Sequence, residues 1–490
     1  MTFIASTYLL VASTIILAAI LLSKIGPRVG VPTLLIFLLV GMLFGSDGLG
    51  VQFDNINHAQ FIGMVALSVI LFSGGMDTQI DEIRPVIKQG ITLSTLGVVL
   101  TTLVTGTFIY LFTKCFQTAF VGSFSLCLLL AATMSSTDSA SVFSILRDQK
   151  MGLKHNAKPL LELESGSNDP MAYMLTIMLI QICKTSDFTV WGVISTFLIQ
   201  FAVGSVMGIL MAKGATFLQN HIKLKNVSLY TIILLCVVFM TFSFTELLHG
   251  NGFLAVYIAG IIIGNRPLVK KRECMKFMDG MTWLLQIVMF ITLGLLVNPH
   301  ELIEIAPLAI AISIFLIFIG RPIVVLLSLI PFKNPPTFKS RLFISWVGLR
   351  GATPIIFATY PFVAGIPGAN QIFNIVFFIT LISLIVQGTT IPWISKKLDM
   401  VTSLPKVGND FGIELPEEID SKLWDIIVDN IMLQSGNQLK DMNLPQGILV
   451  IMIQREGQYL VPNGTLELLL GDKLLVIAQA DIKEEHSLQR

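Results

Sequence analysis

Charge is what this sequence has least of. Only 13% of its residues are Asp, Glu, Lys or Arg, about half the share of an ordinary soluble domain. The formal net charge of +1 leaves no basic field for nucleic acid. Cysteine is sparse as well: Cys115, Cys127, Cys183, Cys236 and Cys274 show no CxxC or Cys/His spacing. They read as small buried hydrophobes, neither disulfides nor a metal centre. No GxGxxG follows a strand-like run, so no NAD is expected. No TVGYG-type filter is present, which weighs against a cation channel. No nucleophile–base pair or metal motif points to an enzyme.

Hydrocarbon fills the chain instead. Of its 490 residues 54% are hydrophobic, and they come in runs near 20, the length that crosses roughly 30 Å of bilayer. This predicts a polytopic α-helical membrane protein; a β-barrel has short alternating segments. The first run has no basic residue before Lys24 and no clear small-residue cleavage site, so it reads as a span and not as a signal peptide. Hydropathy, with breaks at Gly, Pro and charge, gives about thirteen transmembrane helices. They cover 4–24, 30–46, 60–76, 89–113, 119–147, 159–183, 190–217, 227–248, 251–265, 275–297, 304–331, 339–361 and 369–396. The 32 Lys and Arg residues crowd into alternate loops and the span ends beside them; the even-numbered loops hold only Lys114 and Lys184, and only Arg321 and Arg350 lie deep inside spans. The positive-inside rule then puts the odd loops and the C-terminal region in the cytoplasm and the N-terminus outside.

The membrane region runs over 1–397. Residues 398–410, with Pro405 and Gly408, read as a polar linker, and 411–490 as a small α+β cytosolic domain. In that domain "LWDIIVDN" is strand-like and "GNQLKDMNLP" suits a short helix. The run from Gly447 reads as strands joined by turns at Glu456-Gly457, Asn463-Gly464 and Gly471-Asp472. About 80 residues support only a small core, which favours dimerisation of this domain.

Ionisable groups within spans are costly and mark function. Here they are Asp138, Glu162, Glu164, Asp169, Glu246, Arg321 and Arg350, with Ser73, Thr137, Ser165 and Asn168 as polar company. The stretch "TMSSTDSASVF" (133–143) makes a poor membrane helix, because Ser, Thr and Asp compete for backbone groups. A break there frees carbonyls for a cation. Close packing of small residues between helices is the other reading; it explains the Ser but not the acid. In "LELESGSNDPMAY" (161–173), helical geometry sets Glu164 beside Asn168 and Ser165 beside Asp169. Asp169 lies deeper than Glu164, Pro170 loosens the ladder, and Glu162 faces elsewhere or sits nearer the rim. A loop is the alternative, but it leaves "PMAYMLTIMLIQIC" too short to span.

A buried carboxylate favours its proton, whereas a bound cation favours the charged form. The two compete for one site, which is the basis of coupled exchange. Carboxylate, hydroxyl and carbonyl oxygens suit a hard alkali cation. The Arg residues need counter-charges, and Glu164 is the natural partner for one of them. Arg321 has the alternative of snorkelling to the surface. Glu246, near His249, reads as an interfacial or dimer-contact residue.

At these clusters the sequence resembles a known family. "STDSASVFSIL", then "LELESGSNDPMA", "GRP" and "GLRGATP", resemble the NhaP/NHE branch of monovalent cation:proton antiporters. The tail "LPQGILVIMIQREGQYLVPNGTLELLLGDKLLVI" resembles the TrkA C-terminal regulatory domain. Together they are similar to the bacterial potassium/proton antiporter subgroup.

The resemblance implies a secondary antiporter of the bacterial inner membrane, acting in pH homeostasis with K⁺ favoured over Na⁺. It also implies inverted six-helix repeats (spans 1–6 and 8–13), broken crossing helices at spans five and twelve, a homodimer and elevator-like alternating access. By motif match Asp169 is the transport carboxylate, with Thr137, Asp138 and Ser165 as its cation-site neighbours and the alkali cation held at Asp138 and Asp169. Asn168 marks the form that goes with electroneutral exchange. Glu164 pairs with Arg321, or with Arg350. Ser73 departs from the pattern, standing where comparable members commonly carry an acid. The tail lacks its usual Rossmann neighbour, so a small regulatory ligand, and no cofactor, is expected. The competing readings are a tail-gated cation channel and a non-transporting sensor, which leaves Asp138 and Asp169 without a purpose.

Overall fold

The computed structural model describes residues 2–24, 26, 31–116, 120, 122–184, 189–333, 335–403, 421–430, 432–441 and 448–479. The chain divides into two compact units, Met1–Ser403 and Leu404–Arg490.

The first unit is helical. Its helices are α1 (Thr2–Ser23), α2 (Thr33–Phe44), α3 (Ile56–Asp77), α4 (Ile87–Phe116), α5 (Phe124–Thr133), α6 (Ser139–Asp148), α7 (Ala157–Lys184) and α8 (Val190–His221). They continue as α9 (Val227–Leu247), α10 (Gly252–Gly264), α11 (Lys271–Leu295), α12 (Pro299–Leu329), α13 (Phe338–Trp346), α14 (Ala352–Val363) and α15 (Ala369–Lys397). Among the described residues, eight helices are long and apolar enough to cross a membrane. Large apolar side chains such as Trp191, Leu198 and Phe217 stand exposed on α8, as a surface facing lipid requires.

Polar caps start several helices. Asn55, Asn226 and Asn251 each accept a backbone N–H of the first turn. The short connection between α9 and α10 turns at His249, whose φ is 57°. Two helical paths are interrupted. Between α5 and α6 the backbone leaves helical geometry, and Asp138 restarts it by accepting from the Ser141 amide at 3.1 Å. Between α13 and α14 it does so again over Val347–Gly351. The two breaks touch: the Asp138 amide donates to the Leu349 carbonyl at 2.8 Å. Gly351 is required at that contact, because a Cβ there would lie 2.9 Å from the Asp138 Cβ. Single π-turns, each ending on glycine, widen α4 (Leu93–Gly97), α12 (Leu316–Gly320) and α15 (Leu384–Gly388).

Glycine also sets two close helix crossings. A Cβ on Gly41 of α2 would lie 2.9 Å from the Gly294 Cα on α11, and one on Gly75 of α3 would lie 3.2 Å from the Gly260 Cα on α10. Small residues allow such approach where packing, not hydrophobicity, holds helices together. The step from Gly41 to Gly75 equals that from Gly260 to Gly294.

A short antiparallel pair closes this unit: β1 (Met151–Leu153), in the loop before α7, with β2 (Val401–Ser403). Residues 401–403 were expected in the polar linker and are instead a strand. Pairing satisfies their backbone groups, and Lys154 bridges to Asp399 at 2.8 Å. Residues 404–410 lie outside the described residues.

The second unit contains a four-stranded antiparallel sheet of β3 (Ser421–Ile427), β4 (Ile448–Arg455), β5 (Gln458–Leu460) and β6 (Lys473–Gln479), in the order β3-β6-β4-β5. Ile426, Val450, Ile453, Leu474 and Val476 form its core. Glu456 and Gly457, both at positive φ, make the tight β4–β5 turn. Gly471, at φ 89°, turns the chain into β6. Two expectations differ here. The expected short helix is a 3₁₀ turn over Leu439–Asp441, with 442–445 outside the described residues. The apolar run Leu466–Leu470 is not a strand and makes one isolated bridge, Gln438 to Glu467.

Candidate functional site

The site forms where α7 passes the two helix breaks. Residues 157–184 are one continuous helix with Pro170 inside it, so 161–173 is helical and not a loop. Glu164 is 1% exposed and Asp169 7%.

Arg321 of α12 donates to Glu164 in a buried ion pair. Arg321 therefore does not snorkel, and of the two candidate arginines it is the one paired with Glu164. Arg350 is fully buried and donates through Nη1 to the Ser136 carbonyl. Its backbone N–H donates to the Ser383 hydroxyl at 2.9 Å, and Ser383 donates to Gln387 at 2.6 Å in the π-turn of α15. Arg350 is thus a positive charge held at the crossing of the breaks.

Asp169 has hydroxyl partners. Ser136 donates to its Oδ1, and Thr353 of α14 to its Oδ2 at 3.2 Å. Neither residue stood among the sequence candidates. Both lie in the motifs, but spacing along a broken stretch does not tell which of several hydroxyls turns inward. The expected neighbours hold the break to α7. Asn168 donates to the Thr137 hydroxyl at 2.6 Å, Ser165 to the Thr137 carbonyl at 2.9 Å, and the Ser139 amide to Ser165 at 3.0 Å. Asp138 turns both oxygens to Ser141, accepting its amide and its hydroxyl.

Asp138, Ser165, Asp169 and Thr353 line one cavity of about 570 Å³. Charged residues line it too, and of these Asp77, Arg147, Lys158, Lys276 and Asp279 are exposed. The cavity therefore runs from a charged rim to a buried carboxylate. Ser73, 7% exposed, lines an adjoining space of about 220 Å³ with Asp77 and Asp279. Asp77 sits one turn beyond Ser73, so a carboxylate is present near this route despite the serine. Glu246, half-buried at the end of α9, accepts from the Tyr173 hydroxyl at 3.3 Å and the Gly252 amide at 2.9 Å. The turn at His249 brings the Gly252 amide back to it.

The two buried carboxylates of α7 differ in their partners. Glu164 is already neutralised by Arg321, whereas Asp169 has no cationic partner among the described residues and is met by hydroxyls at a cavity wall.

The chain is similar to known proteins along most of its length. Residues 12–397 match the sodium/hydrogen exchanger transmembrane family, and 435–484 the TrkA-C domain. The chain is 36% identical to the K(+)/H(+) antiporter NhaP2 of Shewanella sp. strain ANA-3, over 97% of this chain and 81% of that protein. It is 37% identical to the K(+)/H(+) antiporter NhaP of Alkalimonas amylolytica, over 97% and 82% respectively. The sodium proton antiporter MjNhaP1 of Methanocaldococcus jannaschii superposes with a TM-score of 0.66 at 21% identity, covering 81% of this chain and 99% of that one. The chain belongs to the sodium/hydrogen exchanger family of cation:proton antiporters and carries a TrkA-C domain.

Proposed function

We propose that the chain exchanges a monovalent cation, K⁺ before Na⁺, for protons by alternating access. The observation that carries this is the contrast between two buried carboxylates one turn apart: Glu164 is fixed by Arg321, and Asp169 is left to hydroxyls at the end of a cavity. Asp169 takes either a proton or a cation, and the loss of one admits the other. Hydroxyl and carboxylate oxygens supply the hard ligands that an alkali cation prefers. Thr137, Ser165 and Asn168 hold the broken turn against α7. Asp138 caps α6 and completes the cation field, and Arg350 fixes the crossing. Because Asn168 is neutral, one cation exchanges for one proton and the cycle is electroneutral. The names of the relatives at 36% and 37% identity favour K⁺. The exchange uses no cofactor.

The architecture behind this reading is thirteen spans in two inverted repeats. Three observations support it. The glycine crossings α2–α11 and α3–α10 recur at the same spacing; the breaks come in a pair; and π-turns interrupt both α4 and α12. The basic loops belong in the cytoplasm of a bacterial inner membrane, so the cavity, with Arg147 and Lys158 at its rim, opens inward. The functional unit is a homodimer in lipid. Residues 1–403 carry exchange, and the tail regulates it through a small ligand.

Proteoliposomes containing a pH-sensitive dye test the proposal. Adding K⁺ dissipates an imposed pH gradient in the wild type, and Asp169→Asn abolishes the response. Retained exchange in Asp169→Asn sinks the site assignment, and cation current without proton movement supports a channel. Absence of any flux supports the sensor. A panel of Li⁺, Na⁺, K⁺ and Rb⁺ ranks the substrates.

A further inference from the structure

The cavity ends at Asp169, and the surroundings change beyond it. One turn further along α7, Tyr173 is 7% exposed and sits among three other rings. Phe253 of α10 stands 5.0 Å from it between centroids, and Tyr360 and Phe357 of α14 stand 5.3 and 6.0 Å away. These rings are an apolar seal. On its far side is a carboxylate: the Tyr173 hydroxyl donates to Glu246 Oε2 at 3.3 Å, while Oε1 accepts from the Gly252 amide at 2.9 Å. Next to this contact, the Asn251 side chain donates to the Pro170 carbonyl at 2.8 Å. That carbonyl belongs to the residue immediately after Asp169.

Two polar ties therefore join α7, just past the exchange carboxylate, to the α9–α10 corner. The helices they join have different neighbours. Besides the π-turn region of α4, α7 packs mainly on α5, whereas α10 packs mainly on α3 and α8. A shift of α7 relative to α10 must break both ties. The cavity lies on one side of Asp169, and the ties and the rings lie on the other.

We infer that Glu246 is a positioning residue of the exchange cycle: through Tyr173 it latches the outer side of the path shut while the cavity is open to the inside. The inference rests on the alternating-access reading. Glu246 holds the inward-open state without touching the transported ion. Loss of the latch shifts the population toward the outward-open state, and a shift of that kind has a signature. It weakens apparent cation affinity at the inner face and strengthens it at the outer face, because one equilibrium feeds both.

The test uses the full-length chain in everted and right-side-out vesicles, with cation half-saturation measured at each face. Tyr173→Phe keeps the ring stack and removes only the hydroxyl. It should raise the inner half-saturation concentration and lower the outer one, the two changes multiplying to roughly three- to tenfold, the worth of one hydrogen bond. Glu246→Gln leaves an acceptor but removes the charge, and should give the same signs at smaller size. Shifts in the same direction at both faces, or no shift in an exchange-active variant, overturn the latch. Absence of exchange in the wild type would instead overturn the functional reading on which it stands.

Discussion

Glu164 and Arg321 meet in the interior of the helical unit, with side chains 2% and 3% exposed and the guanidinium donating to the carboxylate. The two residues sit on different helices, α7 and α12, and the pair fixes the height of α7 against α12. Since Asp169 lies little more than one turn along α7, the pair also fixes where the proposed exchange carboxylate stands. A paired charge cannot take part in proton and cation competition, so its contribution is structural.

Removing one partner strands the other charge in a low-dielectric interior, at a cost of about 3–5 kcal/mol. Glu164→Gln and Arg321→Ala should therefore lower the thermal unfolding midpoint of the purified protein in detergent by many degrees. Replacing both by Leu and Met should recover much of the loss, because no charge is stranded. Single variants as stable as the wild type would show that Glu164 is not held by this pair.

The hydroxyls on Asp169 are a separate matter, since they touch the group proposed to exchange. Hydrogen bonds to a charged acceptor are worth about 1.5–3 kcal/mol. Ser136→Ala and Thr353→Val should thus raise the half-saturating cation concentration by roughly tenfold or more, with little effect on thermal stability. Thr353→Ser keeps the hydroxyl and should stay near wild type. Equal affinity in Ser136→Ala and wild type would remove Ser136 from the site.

Much of this site is legible in the sequence, and the reasons are physical. Acids and arginines in hydrocarbon-length runs are costly, so Glu164, Asp169, Arg321 and Arg350 declare themselves by type and place alone. Helical spacing then sets Ser165 beside Asp169 and Asn168 beside Glu164. Ser136 and Thr353 stay hidden because they sit beside backbone that is not helical, where no period relates one side chain to the next. The Glu246 contact stays hidden for a related reason: its partner Tyr173 lies on α7, more than seventy residues away in the chain, and no spacing joins them. In the tail, "LELLL" has the composition of a strand, yet it makes only an isolated bridge.

The tail offers a pH test outside the membrane. Arg455 grips Asp472 at 2.7 and 2.9 Å, and the Leu469 amide donates to the same carboxylate at 2.9 Å. Burial pushes Asp472 up, but the hydrogen bonds from Arg455 and Leu469 and the guanidinium charge outweigh it and hold the carboxyl below its usual value. A depressed folded pKa contributes stability that is present above the unfolded value, about 3.9, and is lost as pH falls through the folded one. Hydrogen exchange in peptides covering β4 and β6, measured on the full-length chain, should therefore speed up on acidification below that range. Asp472→Asn should be less protected at neutral pH and flatter toward acid. An unchanged acid limb in Asp472→Asn would mean that another carboxylate controls it.

The β1–β2 pair decides where the tail can be cut. Val401–Ser403 pairs with Met151–Leu153, immediately ahead of the helix that carries Asp169. The Lys154 amide donates to the Met400 carbonyl at 2.9 Å, its side chain bridges Asp399 at 2.8 Å, and Met400 is 1% exposed. A chain ending at Ser403 keeps all of this, so it should retain exchange in everted vesicles and lose only regulation. A chain ending at Lys397 gives up the strand, the bridge and a buried methionine, the last alone worth about 2 kcal/mol. It should melt earlier, with α7 less well anchored at its start. Gly152→Val separates this effect from loss of the tail. A Cβ at Gly152 would come 3.0 Å from the Thr402 side chain and 3.1 Å from the Ser403 carbonyl, so the substitution forces the pair apart in an otherwise complete chain. If Gly152→Val and the Lys397 truncation both melt like the wild type, the strand pair carries no weight and the boundary belongs earlier.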